Sequence, residues 1–282
     1  MTVPPLPRLL IEEQVRAALL EDLGRAGDIT TDAIIPPSET AKTALVARKS
    51  GIVAGLDVAL LAFELIDPAI KAQIARPDGS RLAKGDTIAT IVGPVHGILT
   101  AERVALNFLG HLSGIASATR GVVDAVAGTK ARVICTRKTI PGLRNLQKYA
   151  VRVGGGFNHR FGLDDAALIK DNHIAAAGGI KPAVERARAA IGHLVKIEIE
   201  VDTLAQLEEA LAIGVDAILL DNMSVDQMRE AVAVVKGRAV TEASGGITPQ
   251  TAPAIAKAGV DLLSLGWLTH SVQQLDIGLD YL

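Results

Sequence analysis

Between Thr136 and His173 the chain gathers seven Lys or Arg against three Asp, a local balance of +4 in a protein whose 29 Lys and Arg fall short of its 31 Asp and Glu. A local excess of this kind asks for an anionic partner. Arg137 and Arg160 can each grip a carboxylate or phosphate in bidentate fashion, whereas Lys138 and Lys170 act as compact point charges. The run Gly154-Gly155-Gly156 lets main chain come close to a bound group. A solvated basic face is the plainer alternative. Here the cations alternate with Thr136, Thr139, His159 and Asn172 at the edges of apolar runs, which suits a lined cleft better than an open surface.

An acidic half accompanies the basic one. Glu200 and Asp221 each close an apolar run, and carboxylates in that position serve ribose hydroxyls or a hydrated Mg²⁺, which needs only one or two of them. Neutralisation by neighbouring lysines is the alternative. Two glycine loops, Ser244-Gly245-Gly246-Ile247 and Leu265-Gly266-Trp267-Leu268-Thr269-His270, follow the last two apolar runs, where barrel enzymes direct backbone N–H groups at a phosphate. No His, Cys and Glu spacing suits zinc. His159 is favoured as a ligand contact, while His173 and His270 are as readily ordinary polar residues. Arg103 sits oddly, a cation at the positive end of a helix, and reads equally as a surface residue or an anion contact.

The elements that must position these groups change character along the chain. An amphipathic helix over 9–23 leads into a loop at 28–32, then short strands at 43–48, 51–54 and 71–75 surround a helix at 56–66, with further short strands as far as 92. This first third reads as an α+β domain with a mostly antiparallel sheet. A long helix follows from about 100 to 127, with Ser113-Gly114 as a candidate break, and acts as a connector. From 131 onward, strands at 133–136, 167–170, 196–200, 217–220, 239–242 and 262–265 alternate with helices at 143–153, 179–191, 204–213, 225–235 and 249–258. Such alternation makes a parallel sheet with right-handed crossings. Nearly every strand ends in polar residues, and a barrel would bring those ends to one mouth. The fold class is therefore α/β, an N-terminal α+β domain followed by an incomplete, roughly six-stranded α/β barrel related to the eight-stranded barrel.

Composition excludes several classes. With 282 residues, 49% hydrophobic and 21% charged, the chain can bury a sizeable core. One cysteine, Cys135, rules out an intrachain disulfide or thiolate cluster and reads as a small core hydrophobe at a strand end. One Trp, two Tyr and four Phe, scattered, offer no stacking platform, and the net charge of −2 argues against nucleic acid. The first residues lack a leader pattern and no stretch is long enough to span a bilayer, so a cytoplasmic location is expected.

Taken jointly, the segments from Thr136 to Arg144, from Gly154 to Arg160, from Leu168 to His173, from Glu242 to Ile247 and from Gly266 to Ser271 resemble the quinolinate phosphoribosyltransferases, the carboxylating nicotinate-nucleotide pyrophosphorylases. The similarity covers essentially the whole chain, including Glu102-Arg103 and the closing segment 275–282. It implies an N-terminal α/β (α+β) sandwich domain over 1–112, closed by 272–282, and an incomplete α/β barrel over 113–271. It also implies a homodimer, or a higher oligomer, in which each sandwich covers the partner's barrel mouth. The implied reaction joins quinolinate to 5-phosphoribosyl-1-pyrophosphate, with Mg²⁺ and no organic cofactor, giving nicotinate mononucleotide, pyrophosphate and carbon dioxide.

By the same resemblance, Arg103 from the partner subunit joins Thr136, Arg137, Lys138, His159, Arg160 and Lys170 around quinolinate. Glu200 and Asp221 handle the ribose and Mg²⁺, directly or through water, and with Lys138 form the catalytic set. Ser244, Gly245, Gly246 and Gly266 hold the 5-phosphate, with His270 nearby. Two positions depart from the family's pattern. Cys135 stands where an acidic residue often precedes the Thr-Arg-Lys, and Trp267 where a small residue usually follows the glycine. A pyrophosphorylase for another base, a non-catalytic phosphate sensor and a Schiff-base aldolase are the competing readings. The last needs a lysine with depressed pKa in an apolar pocket, whereas Lys138 and Lys170 stand among anion-binding groups.

Overall fold

Short apolar and β-branched runs become strands in two different settings of the computed structural model, which describes residues 3–282. After a 3-10 turn at Arg8–Leu10 the elements are α1 (Glu12–Leu23), α2 (Ile29–Ile34), β1 (Thr40–Ala47), β2 (Gly51–Ile52), α3 (Leu56–Ile66), β3 (Lys71–Ile74), β4 (Arg81–Leu82), β5 (Thr87–Pro94) and α4 (Val95–Ala125). Then come β6 (Arg132–Ile134), α5 (Arg144–Val153), β7 (Ala167–Ile169), α6 (Asp171–Ala177), α7 (Ile180–Ala190), β8 (Ile197–Val201), α8 (Leu204–Ile213), β9 (Ala217–Asp221) and α9 (Val225–Val235). The chain ends with β10 (Val240–Ser244), α10 (Ala252–Lys257), β11 (Leu262–Ser264), α11 (Trp267–His270) and β12 (Ile277–Tyr281). One compact unit takes the chain as far as Arg120 together with Thr139–Gly155 and Leu268–Leu282; the other takes Gly121–Lys138 and Gly156–Trp267.

The first unit holds an antiparallel sheet in the order β12-β1-β5-β3. Its core comes from Ala44, Leu45, Ile88 and Ile91 on the strands, Leu56 and Phe63 on α3, and Ile98, Leu109 and Leu112 on α4. Two expectations need correction here. The 28–32 stretch is no loop, because Asp28 caps α2 by accepting the Thr31 N–H at 3.0 Å. And α4 begins earlier than expected and runs unbroken through Ser113-Gly114.

The small residues of α4 have packing roles instead. Ser113 Oγ accepts the Ala54 N–H at 3.0 Å, and Ser117 Oγ accepts the Ile52 N–H at 2.8 Å. A methyl group on Gly114 would strike the Gln273 carbonyl oxygen, so the segment leading into β12 can pass only because that side chain is absent. A glycine inside a helix costs about 1 kcal/mol relative to alanine. Close approach of another chain segment is the compensation. Helix α5, expected among the barrel crossings, lies in the first unit, where Tyr149 Oη donates to Asp78 Oδ2 at 2.8 Å.

In the second unit six strands form one parallel sheet in the order β6-β11-β10-β9-β8-β7. All six fall within two residues of the expected positions. A single parallel bridge, Ile134 to Phe157, extends the β6 edge, and no ladder joins β6 to β7 among the described residues. The barrel is therefore incomplete. Ile199, Ile218, Leu220, Ala243 and Leu263 are buried within it, and capping boxes at Thr203/Gln206 and Ser224/Gln227 start α8 and α9. The short helices α6 and α11 were not legible as elements, having too few turns for a periodic signal.

Candidate active site

The basic residues of the second unit stand on the segments that leave β6 and follow Gly156. Thr136 Oγ1 accepts the Lys138 N–H at 3.0 Å, turning the chain just past the strand. Between them Arg137 is half-buried, and its Nε is sealed from solvent with no hydrogen-bond partner among the described residues. Arg160 donates from Nη1 to the Ala166 carbonyl at 3.1 Å. Burial, and then the charge of Arg137, lower the pKa of the Arg160 guanidinium, with Asp165 and Glu198 opposing. Two guanidiniums close enough to feel one another, one of them with no counter-ion among the described residues, suit an anion. Cys135 is buried and donates to Asn158 Oδ1 at 3.4 Å, a core role.

His159 lies deeper than its neighbours. Its Nδ1 accepts the Arg160 N–H at 2.7 Å, so the ring proton sits on Nε2, which faces Glu198 Oε2 at 2.9 Å and Glu242 Oε2 at 3.6 Å. Both glutamates are buried. Burial, and then the negative charge of Glu198, hold the Glu242 carboxyl well above the usual carboxylate range. His159, Glu198 and Glu242 have the residue types of a metal site, but the tautomer opposes one: a metal would need the Nε2 lone pair.

Sequence reasoning passed over Glu198 and took Glu242 only as the start of a motif, although for Glu198 a signal was present. In Ile197-Glu198-Ile199-Glu200-Val201 the alternation puts Glu198 and Glu200 on one face of β8, and a strand inside a parallel sheet is ordinarily apolar throughout.

At the C-terminal ends of the next strands the acidic and glycine-rich groups follow. Glu200 is half-buried and pairs with Lys170 Nζ at 3.1 Å. Asp221, one strand over, accepts from Asn222 Nδ2 at 2.6 Å. Their oxygen-only donor set fits Mg²⁺. Asn222 takes the left-handed conformation (φ 51°) and its N–H reaches the Ser244 carbonyl at 3.0 Å. Gly245 (φ 98°) has no room for a side chain, since a Cβ would collide with the Asn222 amide. Trp267, the unexpected residue after Gly266, donates from Nε1 to the Ile247 carbonyl at 2.9 Å and so ties one glycine loop to the other.

Thr136, Arg137, Lys138, His159, Arg160, Lys170, Glu200, Asp221, Ser244, Gly245, Gly246 and Gly266 thus all belong to the second unit. Arg103 and His270 belong to the first. Arg103 is exposed on α4 and makes no hydrogen bond or ion pair among the described residues, and the ring of His270 meets Ser271 Oγ at 2.6 Å. His173 turns its Nδ1 to the Lys170 N–H at 3.0 Å, closing the first turn of α6.

Cations and carboxylates crowded at the C-terminal ends of a parallel barrel sheet suit an enzyme for small, multiply anionic substrates. The chain belongs to the quinolinate phosphoribosyltransferase family. Its residues 115–280 match the C-terminal domain of that family and 28–113 the N-terminal domain. It is 49% identical over 273 residues to the carboxylating nicotinate-nucleotide pyrophosphorylase of Mycobacterium leprae, covering 95% of this chain and 96% of that one. It is 45% identical over 272 residues to a probable enzyme of the same name from Bacillus subtilis, covering 96% and 93%. Among solved structures, NadC from Streptococcus pyogenes superposes with a TM-score of 0.95 at 45% identity, covering 99% of each chain.

Proposed function

We propose that this protein transfers the phosphoribosyl group of 5-phosphoribosyl-1-pyrophosphate to quinolinate with loss of carbon dioxide, giving nicotinate mononucleotide and pyrophosphate, a step of NAD biosynthesis. The observation that carries the assignment of the base is Arg137, half-buried beside Arg160, with its Nε sealed from solvent and no hydrogen bond or ion pair to it among the described residues. A dicarboxylate supplies the negative charge that Arg137 lacks among the described residues, and a neutral base would not.

The ribose C1–oxygen bond to pyrophosphate breaks as the pyridine nitrogen bonds to C1. Positive charge builds on the sugar meanwhile, and Glu200 and Asp221 stabilise it while meeting the ribose hydroxyls. Lys138 offsets charge on the departing pyrophosphate. The bond from C2 to its carboxylate then breaks, its electron pair staying on C2 beside the now positive ring nitrogen, and C2 takes up a proton as carbon dioxide leaves. That step needs a held dicarboxylate rather than an external base.

We assign the holding to Thr136, Arg137, Lys138, Arg160 and Lys170, with His159 acting behind Arg160, and the 5-phosphate to Ser244, Gly245, Gly246 and Gly266, to which the family resemblance adds His270. Mg²⁺, held by Glu200 and Asp221 directly or through water, would neutralise diphosphate charge when bound. Arg103, exposed and without a hydrogen bond or ion pair among the described residues, supports a homodimer in which it reaches the other subunit's quinolinate. On this reading 113–271 carries the substrates and 1–112 with 272–282 the cover. A cytoplasmic location goes with a single, buried thiol.

Purified protein supplied with quinolinate, phosphoribosyl pyrophosphate and Mg²⁺ should release carbon dioxide and form nicotinate mononucleotide, with nicotinate and nicotinamide inert. Turnover of nicotinate in preference to quinolinate would overturn the assignment of the base. For the dimer, Arg103→Ala chains mixed with Arg160→Ala chains should regain activity through hybrids that contain one intact site. Verified hybrids without activity would exclude a shared site.

A further inference from the structure

Glu198 and Glu242 have no part in the chemistry above, yet they are among the few charged groups buried in the protein. Their shared contact is His159, whose side chain is only 12% exposed. Taking carboxyl groups out of water is costly unless something is held in place by it. What is held is the ring. With Nε2–H directed at Glu198 (2.9 Å) and Glu242 (3.6 Å), Nδ1 is left as an acceptor and takes the main-chain N–H of Arg160 at 2.7 Å.

The other end of Arg160 is anchored as well, by Nη1 on the Ala166 carbonyl, while Asp165 accepts the N–H groups of Phe161 and Gly162 at 2.6 and 2.9 Å. The chain on both sides of Arg160 is thus fastened before any ligand arrives. Both ring nitrogens of His159 are used by protein groups, so its influence on an anion passes through Arg160.

We infer that Glu198 and Glu242 are positioning residues, which fix the Nε2–H tautomer of His159 so that its Nδ1 holds the main chain of Arg160 and sets the guanidinium for a substrate carboxylate. Resting on the quinolinate transfer proposed above, this role makes His159 a strut rather than a ligand. A tightly placed guanidinium matters because small misplacements of a binding group are expensive in rate and affinity.

The test is nitrogen NMR of the whole enzyme labelled with ¹⁵N-histidine, the His159 signals assigned by their absence from His159→Asn. The expected result is a pyridine-type Nδ1 and a pyrrole-type Nε2, both keeping their type when quinolinate is added. A pyrrole-type Nδ1, or a change of type at Nε2 on adding quinolinate, would overturn the role.

Kinetics supply the second arm. His159→Gln keeps a donor toward Glu198 but loses the acceptor for Arg160, and should raise the quinolinate KM roughly tenfold or more while the KM for phosphoribosyl pyrophosphate stays put. Glu198→Leu should reproduce that split, and Glu198→Gln, which still offers an acceptor, should restore most of the loss. An unchanged quinolinate KM in folded Glu198→Leu would refute the inference. Should Glu198→Leu fail to fold, the tautomer measurement on the wild type decides alone. Wild-type enzyme that ignores quinolinate would defeat the activity instead, and the tautomer would still be measured.

Discussion

His111 in the first unit and His159 in the second are each fixed through a ring nitrogen by a buried partner, but the partners differ in charge. Nε2 of His111 faces the amide of Gln147 at 2.8 Å, and the same fully buried Gln147 accepts the Ile140 N–H at 2.9 Å. Burial lowers the His111 pKa, and every group in that chain of bonds is neutral. Nε2 of His159 faces two glutamates, next to a pair of guanidiniums. The first arrangement is what scaffolding needs: polar groups satisfied without charge burial. The second retains charges at a cost in stability, which is the usual condition of a site built for a charged substrate.

The largest effect that would separate the two regions is on activity. Arg137→Ala should lower kcat/KM for quinolinate roughly a hundredfold to a thousandfold, while the melting temperature stays level or rises, because the guanidinium has no partner among the described residues to leave behind. A clear fall in melting temperature would mean that Arg137 supports the fold. In the first unit the sign reverses. Gln147→Leu should cost about 2–3 kcal/mol in urea unfolding by orphaning the Ile140 N–H and the His111 ring.

Gly245→Ala comes next, at about 1–3 kcal/mol, for a left-handed backbone with a methyl group forced against Asn222. The same variant should raise the KM for phosphoribosyl pyrophosphate; an unaffected KM would remove the loop from the phosphate site.

The smallest effect is a pair of opposite pH slopes. Glu242 has a raised folded pKa, so its stabilising contribution is full below the ordinary glutamate value of about 4.3 and is lost as the pH rises through the raised value. His111 has a lowered one, so its contribution is full above about 6.5 and drains as the pH falls from there. Melting temperatures across the pH range should show Glu242→Gln flattening the alkaline limb and His111→Gln the acid limb. If either substitution flattened the other limb, the assignment of charge states would be wrong.

Much of the second unit could be read before its structure was known. Its six strands alternate with helices, the apolar runs are short and bounded, and polar residues close almost every run, so type and position came through to within two residues. The first unit was less legible. Its unbroken α4 was obscured by Ser113 and Gly114, residues that usually mark a break, and α2 by an Asp-Ile-Thr-Thr run that usually marks a loop. In both places the deciding partner is distant in the chain: Ala54 and Gln273 for α4, and Thr100, whose hydroxyl reaches Asp28 Oδ2 at 3.1 Å, beside α2.

By itself, then, the amino-acid order determined the architecture of the barrel, the charge of its site and, through joint motifs, the family, because periodicity, residue type and short spacing are local properties. The tertiary structure alone decided which charges meet. Glu198, Glu242 and His159 come together from two strands and a connecting segment, Arg137 is left without a counter-ion among the described residues, and Trp267 ties the two glycine loops. Those contacts depend on sheet register and chain return over tens of residues, which no local pattern encodes.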